Sequence, residues 1–275
     1  MRKTGLLLAA IFSLSFISNA QFRIAIAGGG HQSSVSEQNN LPGWDSLKNN
    51  YSGRVGFHLG FIADLPLGTE SNLAFQPGVI YYNKGRKYTQ SFNPPVNDVS
   101  NISSTQYVNY IDVPLNLVYK FGNKTKFIIG GGPYGSFFYS GKETSKTTTL
   151  TGAAQTENED LPVGKKAGQY RIINYGLNGL IGFESGRVFL TANYSRGMNN
   201  FYEASNYNGT FKHQVIGVTL GIYLGKPVSD EKKVKDKDKD GVLDDIDNCP
   251  DEPGTSVTNG CPDRDSDGVA DKDDK

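Results

Sequence analysis

YIDVPLNLVYKFG, residues 110–122, is the stretch on which the reading of this chain turns. Ile111, Val113, Leu115, Leu117, Tyr119 and Phe121 recur at every second position, with Tyr110, Asp112, Pro114, Asn116 and Lys120 between them. Val118 is the one apolar exception in the second set. A period of two puts the apolar residues on one face of a β-strand and the polar ones on the other. The alternation lasts about twelve residues, and a tilted strand needs about 9–11 to cross a bilayer. Taken alone, the segment fits a transmembrane strand and a half-buried strand of a soluble sandwich equally well. Recurrence and spacing separate the two.

The alternation recurs on both sides. Upstream it marks residues 22–27 (Phe22, Ile24, Ile26) and 55–65, where Val55, Phe57, Leu59, Phe61, Ala63 and Leu65 oppose Arg54, His58 and Asp64. Leu73, Phe75, Val79 and Tyr81 carry a third strand to about residue 88. Downstream a strand is predicted over 126–140, and Ile173, Tyr175, Leu177, Ile181 and Phe183 then oppose Asn174, Asn178 and Glu184. Val188, Leu190, Ala192 and Tyr194, then Ile216, Val218, Leu220, Ile222 and Leu224, mark the last two strands.

Eight strands result. They are joined alternately by long polar stretches (31–50, 89–105, 141–168, 199–210) and tight turns (66–71, 121–125, 185–186). Outer-membrane barrels combine an even strand number with short periplasmic turns and long outward loops. A soluble sandwich has no reason to alternate in this way. The fold class is therefore all-β, an eight-stranded antiparallel transmembrane β-barrel. Tyr81, Tyr82, Tyr88, Tyr107, Tyr119, Phe121, Phe138 and Tyr139 are expected in its interfacial girdles. The glycine triplets at 28–30 and 130–132 are expected at bends or close backbone approaches, because neither a Lys-Ser/Thr pair nor a helix follows to make a phosphate loop.

Composition agrees. The 275 residues suffice for one large domain and a small appendage. Beyond the N-terminus no run of 18 apolar residues exists, which excludes a helical membrane protein. A mean hydropathy of −0.44 is compatible with a barrel, whose lipid-facing residues alternate with polar ones. Residues 1–20 read as a signal peptide: Arg2 and Lys3, an apolar run over 6–17, and Ser18-Asn19-Ala20 before a cleavage expected at Gln21. Export fits the two cysteines, Cys249 and Cys261, which could pair in an oxidising compartment; two free thiols are the alternative. The net charge is zero, but residues 229–275 carry 16 acidic and 8 basic groups, against 12 acidic and 18 basic over 21–228. That break separates a barrel at 21–228 from an acidic tail at 229–275. The barrel's positive charge is spread, without a basic aromatic platform, so nucleic acid is not an expected partner.

The tail repeats itself at an offset of 27 residues. Asp236, Asp238, Asp240, Gly241, Asp244 and Asp247 superimpose on Asp263, Asp265, Asp267, Gly268, Asp271 and Asp274. Acids at positions 1, 3, 5, 9 and 12 with Gly at 6 match the spacing by which an oxygen cage wraps Ca²⁺. Val242 and Val269 stand at position 7, where a main-chain carbonyl enters. Carboxylates without a His or thiolate suit Ca²⁺ better than zinc or copper. A charged linker is the bland alternative.

FQPGVIYYNKG (75–85), YIDVPLNLVYKFG (110–122) and IIGGGPYG (128–135) resemble the porin-family outer-membrane β-barrel domain that includes the PorT-like proteins. The tail pattern DxDxDGxxDxxDNCPDxP resembles thrombospondin type 3 repeats. The second resemblance implies that the Asp residues of each repeat ligate calcium and that little apolar core forms without the ion. In related architectures such repeats lead to a peptidoglycan-binding domain like that of outer-membrane protein A. The sequence stops before such a domain, so it is read as truncated, and peptidoglycan contact is expected only through that domain.

The function expected is a non-enzymatic envelope barrel of a Gram-negative outer membrane, in contact with its lipid. A polar lumen built on Arg54, His58, Asp112, Asn116, Asn174, Asn178 and Glu184 leaves little or no porin activity, and a calcium-binding spacer lies in the periplasm. The rivals are a lipid A-modifying barrel enzyme and a soluble lipocalin-like binder. The three histidines, His31, His58 and His213, show no spacing to a nucleophile and an orienting acid.

Overall fold

A computed structural model describes residues 22–68, 71–204, 209–224 and 236–274, so the signal peptide expected at 1–20 lies outside the described residues. The chain divides at Gly225/Lys226 into two compact units.

The first unit has nine strands: β1 (Arg23–Asn39), β2 (Tyr51–Pro66), β3 (Leu73–Val96), β4 (Val99–Phe121), β5 (Thr125–Thr149), β6 (Ala154–Asp160), β7 (Ile173–Ser185), β8 (Val188–Gly197) and β9 (Gly209–Tyr223). Eight of them close a ring. Each pairs antiparallel with its chain neighbour, β5 pairs with β7, and β1 pairs with β9 from Ala25↔Tyr223 to Asn39↔Gly209. β6 stands outside the ring, on β5. Closure removes the sheet edges, the one way for strands to pair every backbone group inside a bilayer.

The ring is apolar outside and polar inside. Val55, Phe57, Leu59, Phe61, Leu117, Ile181, Phe183, Val218 and Leu220 are exposed on the outer wall, while His58, Asp64, Asp112, Asn116, Lys120, Asn174 and Glu184 are buried in the lumen. This is the reverse of a soluble barrel, and so wide an apolar wall calls for lipid. Among the described residues no helix is long and apolar enough to cross a membrane. Val118, the exception to the alternation, faces inward with Ala25, Ala27, Ala74 and Ile128 in a small apolar cluster.

Several strands outrun their expected limits. β1 continues to Asn39, β3 and β4 form one hairpin through the loop expected at 89–105, and β9 begins at Gly209. β5 and β6 occupy much of the loop expected at 141–168. Beyond the ring both faces of these strands meet water, so no apolar alternation marks them. What remains is the strand preference of their Thr-rich sequence.

The girdle expectation is corrected in part. Tyr107, Tyr119, Phe121 and Tyr139 do lie on the outer wall. Tyr82 turns inward against His58, Tyr88 against Tyr51, and Phe138 against Tyr110. Phe138 keeps the inward parity of Ile128, Tyr134 and Ser136, and the register shift at Asn109/Tyr110 comes after it, at Tyr139. The glycine triplets sit at close approaches: a Cβ on Gly29 would lie 1.8 Å from the Val218 carbonyl oxygen, and one on Gly132 2.0 Å from that of Leu115.

Candidate functional site

At the short-turn end of the lumen, β2 points Asp64 inward and β4 points Lys120 across at it. Lys120 Nζ donates to both Asp64 oxygens at 2.8 Å and to Glu184 Oε2 at 2.8 Å. Arg23 bridges the same carboxylates, to Asp64 Oδ2 at 2.5 Å and Glu184 Oε1 at 2.7 Å, with its guanidinium 3.8 Å over the Tyr223 ring. Gln76 Nε2 completes the group at 2.8 Å from Asp64. Two cations meet two carboxylates, so the cluster is neutral. It ties β1, β2, β3, β4, β7 and β9 across the lumen.

Neutral groups fill the next layer. Asn178 donates to Asn116 Oδ1 at 2.8 Å, and Thr219 donates to Asn193 Oδ1 at 2.9 Å. His58 Nε2 lies 2.8 Å from the Thr219 hydroxyl, and its Nδ1 lies 3.2 Å from His31 Nδ1. His58 thus spends both nitrogens, on His31 and on a threonine, while His31 Nε2 is buried without a hydrogen-bond partner. Between the layers a cavity of about 60 Å³ remains, lined by Tyr82, Asn116, Tyr134 and Asn178 among others.

Farther up, Lys84 Nζ donates to Asp112 Oδ2 at 2.6 Å and Ser136 donates to the other oxygen. Above these, Tyr110, Tyr170, Phe201 and Phe211 pack into an apolar cap, with His213 stacked on Phe201 at 3.8 Å between centroids. Six of the seven lumen residues named from sequence face inward. Arg54 does not, because a register shift between Gly53 and His58 turns it to the outer side. There its guanidinium lies 4.2 Å over the Tyr107 ring and donates to the Asn83 carbonyl at 2.9 Å. Arg23, Lys84 and Tyr223 were missed as partners; their inward parity is readable, but which strand they meet across the ring is not.

The tail repeats fold into two matching loops. Gly241 N donates to Asp236 and Gly268 N to Asp263; Val242 N donates to Asp240 and Val269 N to Asp267. Lys237 N donates to Asp244 and Arg264 N to Asp271 in the same way. Gly241 and Gly268 take φ of 93° and 88°, values that favour glycine. The carboxylates of Asp236, Asp238 and Asp240 bring oxygens within 4.8 Å of one another, and so do those of Asp263, Asp265 and Asp267.

Asp238 Oδ2, Asp247 Oδ2 and Asp263 Oδ1 are buried without a hydrogen-bond partner. Converging carboxylates with orphaned oxygens are a donor set that fits a hard cation. Loss of hydration, then the charges of Asp240, Asp247 and Asp236, hold the Asp238 carboxyl above the usual aspartate range. Asp247 at position 12 spends Oδ1 on Cys249 N, and Asp274 occupies the matching place in the second loop. Cys249 and Cys261 form a disulfide with their Cα atoms 5.0 Å apart.

No curated protein matches the chain. Among solved structures it is similar to the Neisserial surface protein NspA, at 13% identity and a TM-score of 0.37, covering 74% of this chain and 99% of that one. It is also similar to Ail, the attachment invasion locus protein of Yersinia pestis, solved in complex with the heparin analogue sucrose octasulfate. There the identity is 13% and the TM-score 0.34, over 74% and 99% of the two chains. The family model described as outer membrane protein beta-barrel domain matches residues 17–203. With that match over most of the lipid-facing ring, the chain belongs to the outer membrane β-barrel family and so to the outer membrane of Gram-negative bacteria.

Proposed function

We propose that the chain is a non-enzymatic envelope barrel with little or no porin activity, carrying a calcium-binding spacer. The carrying observation is the cross-lumen cluster of Arg23, Asp64, Lys120 and Glu184, which spans the bore where a solute would have to pass. Eight-stranded barrels have interiors just wide enough for side chains to fill, and here charged pairs and an aromatic cap fill both ends. The histidines support no acid–base relay of the kind a lipid A hydrolase would need: His31 and His58 contact each other, and His213 lies under Phe201.

Calcium is the second part of the proposal, and the thrombospondin type 3 and PorT-like resemblances belong with it. The ligands would be Asp236, Asp238, Asp240, Asp244 and Asp247 in one loop, and Asp263, Asp265, Asp267, Asp271 and Asp274 in the other. The main chain would join at Val242 and Val269. A bound divalent ion would cancel carboxylate repulsion and turn a self-repelling coil into a stiff spacer. β9 ends at the short-turn end, beside the start of β1, which supports a periplasmic exit for the tail.

Planar-bilayer recording on the full chain, paired with calorimetric Ca²⁺ titration, tests both parts. Small or absent steady conductance and saturable calcium heat are expected. Large steady conductance refutes the plug, and an absence of calcium heat refutes the spacer.

A further inference from the structure

The long-loop mouth holds a second constructed pocket, apart from the plug and the tail. The chain has one tryptophan, Trp44, on a short helix (Trp44–Leu47) after β1. Its ring lies 5.8 Å from that of Tyr51, which lies 4.9 Å from that of Tyr88. Three aromatic rings thus run along one wall. Two adjoining cavities of about 150 and 110 Å³ share Tyr51 and Arg86 as lining. Trp44, Glu37 and Lys48 border the first, and Gln106 and Glu143 the second.

The polar groups are fixed before any ligand arrives. Arg86 Nη1 donates to Glu37 Oε2 at 2.5 Å and its Nε to Gln106 Oε1 at 3.0 Å. Gln106 Nε2 donates to Glu143 Oε2 at 3.0 Å, and Asn39 Nδ2 to Glu37 Oε1 at 2.7 Å. Such an array presents acceptors and donors at set positions beside π faces, the arrangement that gives a pocket orientation and specificity.

Charge narrows the occupant. A cation would compete with Arg86, which already covers Tyr51 with its guanidinium 4.3 Å from the ring centroid. An anion would meet Glu37 in one cavity, where Lys48 is already held by Asp45 at 2.7 Å, and Glu143 in the other. A purely apolar group would strip water from the carboxylates and give nothing in exchange. A neutral ring with one C–H face and a rim of hydroxyls satisfies every constraint. Its face packs on the aromatics, and its hydroxyls donate to the glutamates and accept from Arg86.

We propose that this mouth pocket binds a neutral hexopyranose unit of a surface glycan. The inference rests on the reading that the long-loop end faces outward. The sugar can come from the cell's own lipopolysaccharide core or from a glycan outside it.

The full chain in nanodiscs, free of sugar detergents, is titrated with methyl α-D-glucopyranoside, with maltotriose and with dephosphorylated lipopolysaccharide core oligosaccharide. Trp44 emission and calorimetry are both followed. A saturable response to at least one sugar is expected, weakened tenfold or more in Tyr51→Ala and in Glu143→Gln. A preference for the core oligosaccharide identifies the source as the cell's own surface, and a preference for the other two identifies outside glycans. Tighter binding of a sulfated disaccharide, unchanged affinity in both variants, or no response by either method overturns the proposal. Heat-dependent gel mobility of the same sample reports the barrel separately, so a folded barrel without sugar response overturns this inference alone.

Discussion

Replacing Asp64 by Asn keeps the shape of the lumen cluster and removes one negative charge. Arg23 and Lys120 then share Glu184 alone, which leaves one cation uncompensated. The size of the penalty depends on how wet the site is. An exposed ion pair is worth about 0.2–1 kcal/mol, whereas breaking a buried one costs about 3–5 kcal/mol. The side chains of Asp64, Glu184 and Lys120 are 1%, 4% and 9% exposed, so the upper range applies. Lys120→Met, which leaves Arg23 alone against two carboxylates and one negative charge uncompensated, is expected to cost a similar amount. The double variant restores neutrality through Arg23 and Glu184, so its loss should fall short of the two single losses combined by about 2 kcal/mol or more. Urea unfolding from phosphocholine vesicles, followed by far-ultraviolet circular dichroism and gel mobility, measures all four proteins. Additivity within about 0.5 kcal/mol would show that these groups act separately and that the plug is not a coupled unit.

Other consequences can be checked alongside. Leu115→Arg places a cation midway along the outer face of β4 and should cost about 2–4 kcal/mol of vesicle-folding free energy; a change under about 0.5 kcal/mol would mean that lipid does not wet this wall. Calcium should protect the tail of the full chain from proteolysis, and Asp240→Asn with Asp267→Asn should abolish that protection; protection that survives both changes removes these loops as the site. Because the Asp238 carboxyl sits above the usual range, its proton competes for the site first as pH falls. Calcium affinity should therefore decline on acidification before an ordinary aspartate would titrate, and a pH-independent affinity would contradict the assignment. Cys249→Ser with Cys261→Ser should destabilise the tail by roughly 3 kcal/mol, read by urea denaturation of the tail signal in the full chain; an unchanged midpoint would make the bridge incidental.

The ring was legible in the sequence because lipid on one side and polar lumen on the other impose a strict period of two. Asp112, Asn116 and Lys120 could be placed inside from YIDVPLNLVYKFG alone. The period vanished above the membrane, where both faces of a strand meet water, so the upper halves of β3, β4 and β5 read as loops. Parity also failed where a bulge intervened, which misplaced Arg54. Partnership across the lumen was never local: Lys120 and Asp64 lie 56 residues apart, and His58 and Thr219 lie 161 apart. The tail repeats were legible as a pattern, since a loop that turns on one Gly and five Asp residues is set by spacing alone. The mouth pocket was not, because Trp44 carries no period and gains meaning only beside Tyr51.

The hairpins that outrun the ring reopen what closure had hidden. β2 pairs with β3 only as far as Tyr51↔Tyr88, so β3 beyond Tyr88 offers unpaired backbone on one side, and β6 does so on the other. Yet Pro94 and Pro95 lack the amide hydrogens that a docking strand would seek, and Glu157, Glu159 and Asp160 give β6 a negative flank. Two such acidic flanks brought together would repel, so this rim is guarded against adding a copy of β6 as a further strand.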